Sequence, residues 1–389
     1  MPITLADYPF MAQALRLAER GLYTTMPNPR VGCVLVKDGE VVGEGWHLRA
    51  GEGHAEVNAI AAAGEHSRGA TAYVTLEPCS HTGKTGPCSH ALVSAGIARV
   101  VFAMEDPNPL VAGRGLDYLR DAGIQVDGPL LEDDARALNP GFIKRMERKL
   151  PFVRCKMGMS LDGRTAMASG ESQWVTGKKA RGDVQRLRAR SCAIISGIDS
   201  VLMDNSSLTV RAEELDLPNS QEAAAKQPLR VVLDSTLRLS RNAKILAQET
   251  PILLVHNGRA ENADKLNNWP QHVELLALPA NLSGSAGSNN TGSSDGGRIN
   301  LNALLTELAK RQCNEVLVEA GATLAASFLR RGLLDEVIIY MAPKLLGSSA
   351  RPLFDLPLNT MSSALPLKIS DMRAVGTDWR ITATLDTEY

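Results

Sequence analysis

Apolar and polar positions in the first part of the chain switch between two periods. Over residues 9–21, Met11, Ala14, Leu15 and Ala18 recur at helical spacing, and Gly21 ends the pattern. Val31-Gly32-Cys33-Val34-Leu35-Val36 is an apolar, β-rich run. Lys37-Asp38-Gly39-Glu40 follows as a turn, and residues 41–46 return as a second strand of a hairpin. Residues 54–63 read as a helix opened by His54, 72–76 as a strand, 89–96 as a helix, 98–103 as a strand and 115–122 as a helix. Helices alternating with strands predict a layered α/β sheet with its site at the strand ends.

The basic run 144–149, before Pro151, reads as a helix end and linker. It places a domain boundary near residue 148, giving domains 1–148 and 149–389. A second α/β unit begins with a strand at 152–157, a turn at 160–164 and a polar loop at 170–176 that carries Trp174. Residues 177–190 form a basic helix with Arg181, Arg186, Arg188 and Arg190, at least two of them expected on a solvated face. Strands follow at 193–197, 230–234 and 252–255, with a helical turn over 200–211. Residues 283–297 are Ser, Gly and Asn with almost nothing apolar, which predicts a flexible surface loop without function. Glu315-Val316-Leu317-Val318-Glu319 is a buried strand running through Gly321 into a small-residue helix start, a geometry that suits an anion. Such turns are mostly structural, and no Gly-Lys-Ser/Thr follows to make a phosphate loop.

Composition narrows the class. The 389 residues allow two or three domains, and 44% hydrophobic with 22% charged residues fit a soluble globular protein. With 42 Lys and Arg against 43 Asp and Glu, no global basic field points to nucleic acid or anionic lipid. Six cysteines are too few for a disulfide framework and fit ligands and core thiols in a reducing cytoplasm. The start lacks a basic region followed by a long apolar run, so no signal peptide is expected. No stretch approaches the ~20 apolar residues of a membrane span.

The chemistry concentrates between residues 54 and 88. His54-Ala55-Glu56 is followed by Thr75-Leu76-Glu77-Pro78-Cys79 and, after eight residues, by Cys88. One imidazole and two thiolates can hold a tetrahedral zinc and leave its fourth position open for water. Glu56 is close enough to exchange a proton there without being a ligand. The order His-x-Glu, Pro-Cys, Cys is the zinc nucleobase-deaminase signature, although the short form separates its cysteines by only two residues. Cys33, inside an apolar strand, reads as a core residue. Two rivals are weighed. A nucleic-acid deaminase predicts a basic groove with stacking aromatics, against net charge -1 and 4% aromatics. A zinc-stabilised binding module predicts a fourth protein ligand and leaves Glu56 without a task.

Asn28-Pro29-Arg30-Val31-Gly32-Cys33-Val34, Gly45-Trp46-His47, the two zinc-site motifs with Ser80-His81, Lys84-Thr85-Gly86-Pro87-Cys88, and residues 106–115 from Asp106-Pro107-Asn108 onward carry a resemblance. They resemble the riboflavin-biosynthesis deaminase–reductase family, which uses the longer cysteine spacing. The second half continues it in Lys156, Ser160-Leu161-Asp162-Gly163-Arg164, Gly170-Glu171-Ser172-Gln173-Trp174, Leu208-Thr209-Val210-Arg211, Val318-Glu319-Ala320-Gly321 and Ala342-Pro343-Lys344. The resemblance implies a cytidine-deaminase-like three-layer αβα domain followed by a dihydrofolate-reductase-like α/β domain. It implies His54, Cys79 and Cys88 as zinc ligands and Glu56 as proton shuttle, with Asn28, His47, His81, Lys84, Asp106 and Asn108 lining the deaminase pocket. It implies NADPH contacts from Gly158, Trp174, Ser200, Asp204, Ser235, Gly321, Ala322, Thr323, Leu324, Ala325, Ala326 and Ser327. Substrate contacts implied in the second domain are Ser172, Arg188, Leu208, Arg211 and Glu319, the arginines suiting a ribose 5-phosphate. The implied reactions are zinc-dependent deamination of a phosphorylated diaminopyrimidinone and NADPH reduction of its ribosyl group to ribityl, with a homodimer through the second domain. Met203-Asp204-Asn205-Ser206 departs from the family, which usually shows two acids and a proline there. Residues 213–227 and the Ser/Gly stretch look like insertions.

Overall fold

The computed structural model describes residues 2–80, 86–109, 111–259, 265–279 and 298–386. The expected loop 283–297 and the residues His81 and Lys84 lie outside them. Two compact units emerge: one reaches to Leu150 and takes in Gln312–Asn314, and the other holds Pro151–Arg311 and the chain from Glu315 onward.

The first unit runs α1 (Tyr8–Glu19), β1 (Gly32–Lys37), β2 (Glu40–Trp46), α2 (Ala55–Ala63), β3 (Thr71–Val74), α3 (Cys88–Ser94), β4 (Arg99–Phe102), α4 (Arg114–Asp121), β5 (Gln125–Asp127), α5 (Glu132–Leu138) and α6 (Pro140–Arg148). Its sheet has the order β2-β1-β3-β4-β5. β1 pairs antiparallel with β2 and β3, whereas β3, β4 and β5 run parallel. Asp38 and Gly39 both take positive φ (51° and 85°), as a two-residue hairpin of right-handed strands requires. On one face the sheet packs Ala55, Ala59, Leu92, Leu116 and Leu119 from α2, α3 and α4. On the other it packs Met11, Ala14, Leu15, Ala135 and Ile143 from α1, α5 and α6. The unit is therefore three layers, α on β on α. A twelve-residue helix such as α1 is marginal in water, and burial of its apolar face holds it, at ~1.5–3 kcal/mol per large side chain.

The second unit runs β6 (Phe152–Ser160), β7 (Arg164–Ala166), α7 (Lys178–Ala189), β8 (Ala193–Gly197), α8 (Ile198–Asp204), α9 (Ser220–Ala225), β9 (Leu229–Leu233), β10 (Ile252–His256), β11 (Val273–Ala277), α10 (Leu301–Lys310), β12 (Glu315–Val318), α11 (Ala322–Arg330), β13 (Glu336–Ala342), β14 (Arg351–Pro352), β15 (Leu367–Val375) and β16 (Asp378–Leu385). Its main sheet has the order β11-β10-β9-β8-β12-β6-β13-β16-β15, and β14 pairs with β7 separately. β11 through β13 are parallel and the last two strands antiparallel.

Two expectations change. None of the three arginines of α7, nor Arg190 at its C-cap, is exposed. Arg186 donates to the Leu215 carbonyl at 2.7 Å, Arg190 lies 3.3 Å from Glu315, Arg188 pairs with Glu319, and Arg181 covers the Trp174 ring. These four guanidinium groups thus face protein carbonyls, carboxylates and an aromatic ring. The helical turn over 200–211 begins earlier, at Ile198, and ends at Asn205, whose φ of 44° makes it a left-handed cap that asparagine tolerates. Residues 213–227, which look like an insertion, are packed: Leu215 is fully buried, and the Gln227 side chain bridges Val210 N and O at 2.8 and 3.0 Å. Among the described residues no helix is long and apolar enough to cross a membrane.

Candidate functional site

In the first unit the site forms where α2 and α3 begin and β3 ends. His54 is the N-cap of α2, in extended conformation, so its side chain leaves the helix axis at the edge of the sheet. α2 can lie close to β2 because Gly45 has no side chain: a Cβ there would stand 2.3 Å from the Ala55 carbonyl oxygen. Cys79 follows β3, and Cys88 is the first residue of α3. His54 Nδ1 lies 3.2 Å from Cys88 Sγ and 3.7 Å from Cys79 Sγ. All three donor atoms lie within 4.8 Å of one another, and among the described residues they are the group able to hold a metal. Tetrahedral zinc with ordinary Zn–S and Zn–N bonds separates its ligand atoms by ~3.6–3.8 Å, so the triangle fits that ion. Among the described residues no fourth protein ligand, which a purely structural zinc needs, joins the group.

The electrostatics of the triangle suit a cation. A hydrogen bond with the Cys88 thiol is the largest effect holding the Cys79 thiol down to about 4, while Cys88 is pushed up by that same partnership and by burial. The pair thus readily carries one negative charge between two sulfurs. His54 is raised chiefly by its bond to Cys79. Glu56, only 3% exposed, is raised to about 7 by burial and then by the charge on Cys79. A carboxyl held near neutrality beside the triangle can both take and give a proton at working pH.

Other predicted pocket residues gather in two groups. Asn28 Nδ2 donates to His47 Nε2 at 3.0 Å, so the remaining ring nitrogen, Nδ1, donates to the Gly53 carbonyl at 3.1 Å. Burial lowers the His47 pKa, which keeps this ring neutral, and it stands edge-on to His54 with centroids 5.2 Å apart. Asp106 accepts from Asn108 N at 2.8 Å in the loop after β4, the parallel neighbour of β3. Sequence reasoning overlooked Asn58, whose Nδ2 donates to the Trp46 and Gly53 carbonyls and holds the approach to His54. An amide one helical turn after a metal-capable histidine was the available signal. It also gave no role to Glu77, quoted only as part of a motif.

In the second unit a cleft of about 1510 Å³ opens at the carboxyl ends of β6, β8, β9 and β12, the edge of a parallel sheet where ligands bind. Its wall includes Gly158, Ser172, Trp174, Arg188, Ser200, Asp204, Leu208, Arg211, Ser235, Glu319 and, from the α11 start, Gly321, Ala322, Thr323, Leu324 and Ser327. Ala325 and Ala326 do not reach it: both are fully buried on the inner face of α11. The periodicity of a helix entering from a glycine turn makes such a split unavoidable. Ser200 Oγ accepts from Gly321 N at 3.1 Å, joining the α8 and α11 starts, and Ser172 Oγ donates to Asp204 at 2.9 Å. The Arg181 guanidinium lies 4.4 Å from the Trp174 ring centre.

Glu319 is the charged hub of the cleft. Arg188 donates to both its oxygens at 2.6 and 3.0 Å and to the Thr209 carbonyl at 3.1 Å, and Lys156 Nζ lies 3.4 Å away. Burial pushes the Glu319 carboxyl up, but Arg188 and then Lys156 outweigh it and hold it at about 2. The fork of Arg188 is therefore filled by Glu319. Arg211 is paired with Glu214 at 2.6 and 2.8 Å on the surface, where exchange for another anion costs little.

Comparison with known proteins agrees with both units. Residues 6–104 match the family model described as the cytidine and deoxycytidylate deaminase zinc-binding region. Residues 151–381 match the RibD C-terminal domain. The chain is 49% identical over 378 residues to the riboflavin biosynthesis protein RibD of Escherichia coli, covering 96% of this chain and 98% of that one. It is 48% identical to that of Haemophilus influenzae, covering 97% of each. Among solved structures, Acinetobacter baumannii RibD, form 1, superposes with a TM-score of 0.86 at 46% identity, covering 98% and 99%. A diaminohydroxyphosphoribosylaminopyrimidine deaminase/5-amino-6-(5-phosphoribosylamino)uracil reductase of Thermotoga maritima gives 0.81 at 31% identity, with the same coverage.

Proposed function

The chain belongs to the RibD family of riboflavin biosynthesis, a bifunctional deaminase and reductase using zinc and NADPH, and from that premise we propose which residues perform each reaction and on what. Residues 1–148 form the deaminase and 149–389 the reductase. The deaminase substrate is 2,5-diamino-6-(5-phosphoribosylamino)pyrimidin-4(3H)-one. The reductase substrate is its product, 5-amino-6-(5-phosphoribosylamino)uracil. The observation that carries the reading is the His54, Cys79 and Cys88 triangle with the buried Glu56 carboxyl at the same helix start.

His54, Cys79 and Cys88 would hold the zinc, which would supply the Lewis acidity that makes water a nucleophile near neutral pH. Glu56 takes the proton from that water and returns it to the departing amine, a role its raised pKa fits. Asn28 and His47 orient the pyrimidine ring, His47 as a neutral donor–acceptor fixed by Gly53. Asp106 and Asn108 bind the substrate from the loop after β4, and His81 and Lys84 are substrate contacts by family resemblance.

In the reductase, NADPH would supply the hydride for reducing ribosyl to ribityl. The first turn of α11, Ala322 to Leu324, offers N–H groups and a helix dipole to the pyrophosphate, with Ser200 and Ser327 beside it. Gly158, Trp174, Asp204 and Ser235 hold the rest of the nucleotide. Arg211 exchanges Glu214 for the ribose 5-phosphate, while Arg188 holds Glu319 toward the sugar, with Ser172 and Leu208 at its sides. The enzyme works in the cytoplasm, a reading that its six free thiols fit. It is a homodimer through the second unit, where Ile369 and Met372 on the edge strand β15 and Trp379 on its neighbour β16 are 59%, 52% and 43% exposed.

Glu56→Gln tests the assignment. The variant is expected to keep its zinc, to lose deaminase activity by about 10²–10⁴-fold, and to reduce the deaminated intermediate at the normal rate. Undiminished ammonia release would refute the proton-shuttle role.

A further inference from the structure

Glu77 lies two residues before Cys79 and is only 3% exposed. No part of the chemistry above uses it. Its carboxylate accepts three backbone N–H groups: Asp106 N at 3.2 Å and Gly113 N at 3.0 Å on Oε2, and Gly115 N at 2.9 Å on Oε1. Asp106 opens the loop after β4, Gly113 closes it, and Gly115 is in the first turn of α4. One carboxylate therefore ties both ends of the loop 106–113 to the β3 exit that carries Cys79. The approach is tight, since a Cβ on Gly115 would stand 1.9 Å from the Pro78 carbonyl oxygen. Asp106 accepts from Asn108 N at 2.8 Å, and the Asn108 carbonyl accepts from Val111 N and Ala112 N, so the hold passes from Glu77 into the loop.

We propose that Glu77 is a positioning residue of the deaminase: its carboxylate clasps the loop 106–113 so that Asp106 and Asn108 stand beside the Cys79 side of the pocket. The argument rests on the reading above that this loop touches substrate. A carboxylate can satisfy three converging N–H groups, with two oxygens and about four lone-pair directions. An amide has one oxygen and would aim its NH₂ at one of the same donors, which turns part of the clasp into repulsion.

The test uses the full chain, whose reductase serves as an internal control for folding. Glu77→Gln is expected to keep zinc and reductase activity, to raise the deaminase KM for the diaminopyrimidine at least tenfold, and to change kcat less than threefold. Asn108→Ala should also raise KM, and Glu77→Gln/Asn108→Ala should be hardly worse than the poorer single variant, because both act through one contact. Glu77→Asp, which keeps the charge, should recover part of the loss. If Asn108→Ala raises KM and Glu77→Gln leaves it alone, the positioning role is overturned and the substrate reading stands. If Asn108→Ala leaves KM alone, both fall. Loss of zinc in Glu77→Gln, or fully additive KM effects, also overturns the proposal by showing that the clasp acts on the metal turn or on general stability.

Discussion

At the scale of single residues the reductase cleft turns on one buried carboxylate. The folded Glu319 value of about 2 lies below its ordinary 4.5, so the unfolded chain binds this proton more readily. The Arg188 and Lys156 contacts therefore stabilise the fold above about pH 4.5, and that contribution fades as pH falls toward 2. It amounts to about 3 kcal/mol. Between pH 5 and 3 the protein should lose more stability in urea unfolding than Glu319→Gln does, and parallel losses would remove the pair from the account. Removing the other partner is harsher, because Arg188→Ala leaves a buried carboxylate without its bidentate cation, expected to cost about 3–5 kcal/mol. A drop in melting temperature without loss of zinc would register it.

At the scale of elements, the placing of α2 decides the deaminase. The helix is rich in alanine, with Ala55, Ala59 and Ala63 facing the sheet, and it rests on the backbone of β2. Gly45→Ala is expected to push it outward, since the new methyl has no free space against the Ala55 carbonyl and Ala59 N. Overpacking of this kind costs roughly 1–3 kcal/mol. Because His54 and Glu56 ride on the helix start, deaminase activity and zinc content should both fall while reductase activity persists. Retained zinc with normal deamination would mean that α2 adjusts freely. Much of this element's role was legible, since the helix pattern begins at His54 and the hairpin glycines stand in the strand before it. Elements such as β5, α5 and β15 were not. β5 is three half-buried residues without alternation, and α5 opens on Glu132, Asp133 and Asp134, which hide a helix start behind charge. β15 is exposed along almost its whole length, so no apolar period marked it.

At the scale of the molecule, two sheets carry two chemistries that should separate experimentally. Chelation is expected to abolish ammonia release and leave the NADPH-dependent step intact. Zinc should restore the first activity, and magnesium, which prefers oxygen ligands, should not. Loss of both activities on chelation would tie the second site to the metal. The exposed apolar edge of β15 and β16 predicts self-association: Ile369→Asp with Met372→Lys should shift the sedimenting species from dimer to monomer, and an unchanged mass would move the contact elsewhere.

Order and spacing along the chain determined the kinds of atoms available to a metal and the alternation of helix with strand. Those features are local, because a ligand's chemistry and an element's period are written in neighbouring residues. Only the tertiary structure decided that Glu56 is sealed from water, that Arg188 spends its fork on Glu319 131 positions away, and that Ala325 and Ala326 turn from the cleft while their neighbours face it. It also decided that Glu77 closes a loop 29 to 38 positions further on. Burial and partnership of this sort depend on which distant surfaces meet and in what register, and no short window of sequence carries that energy.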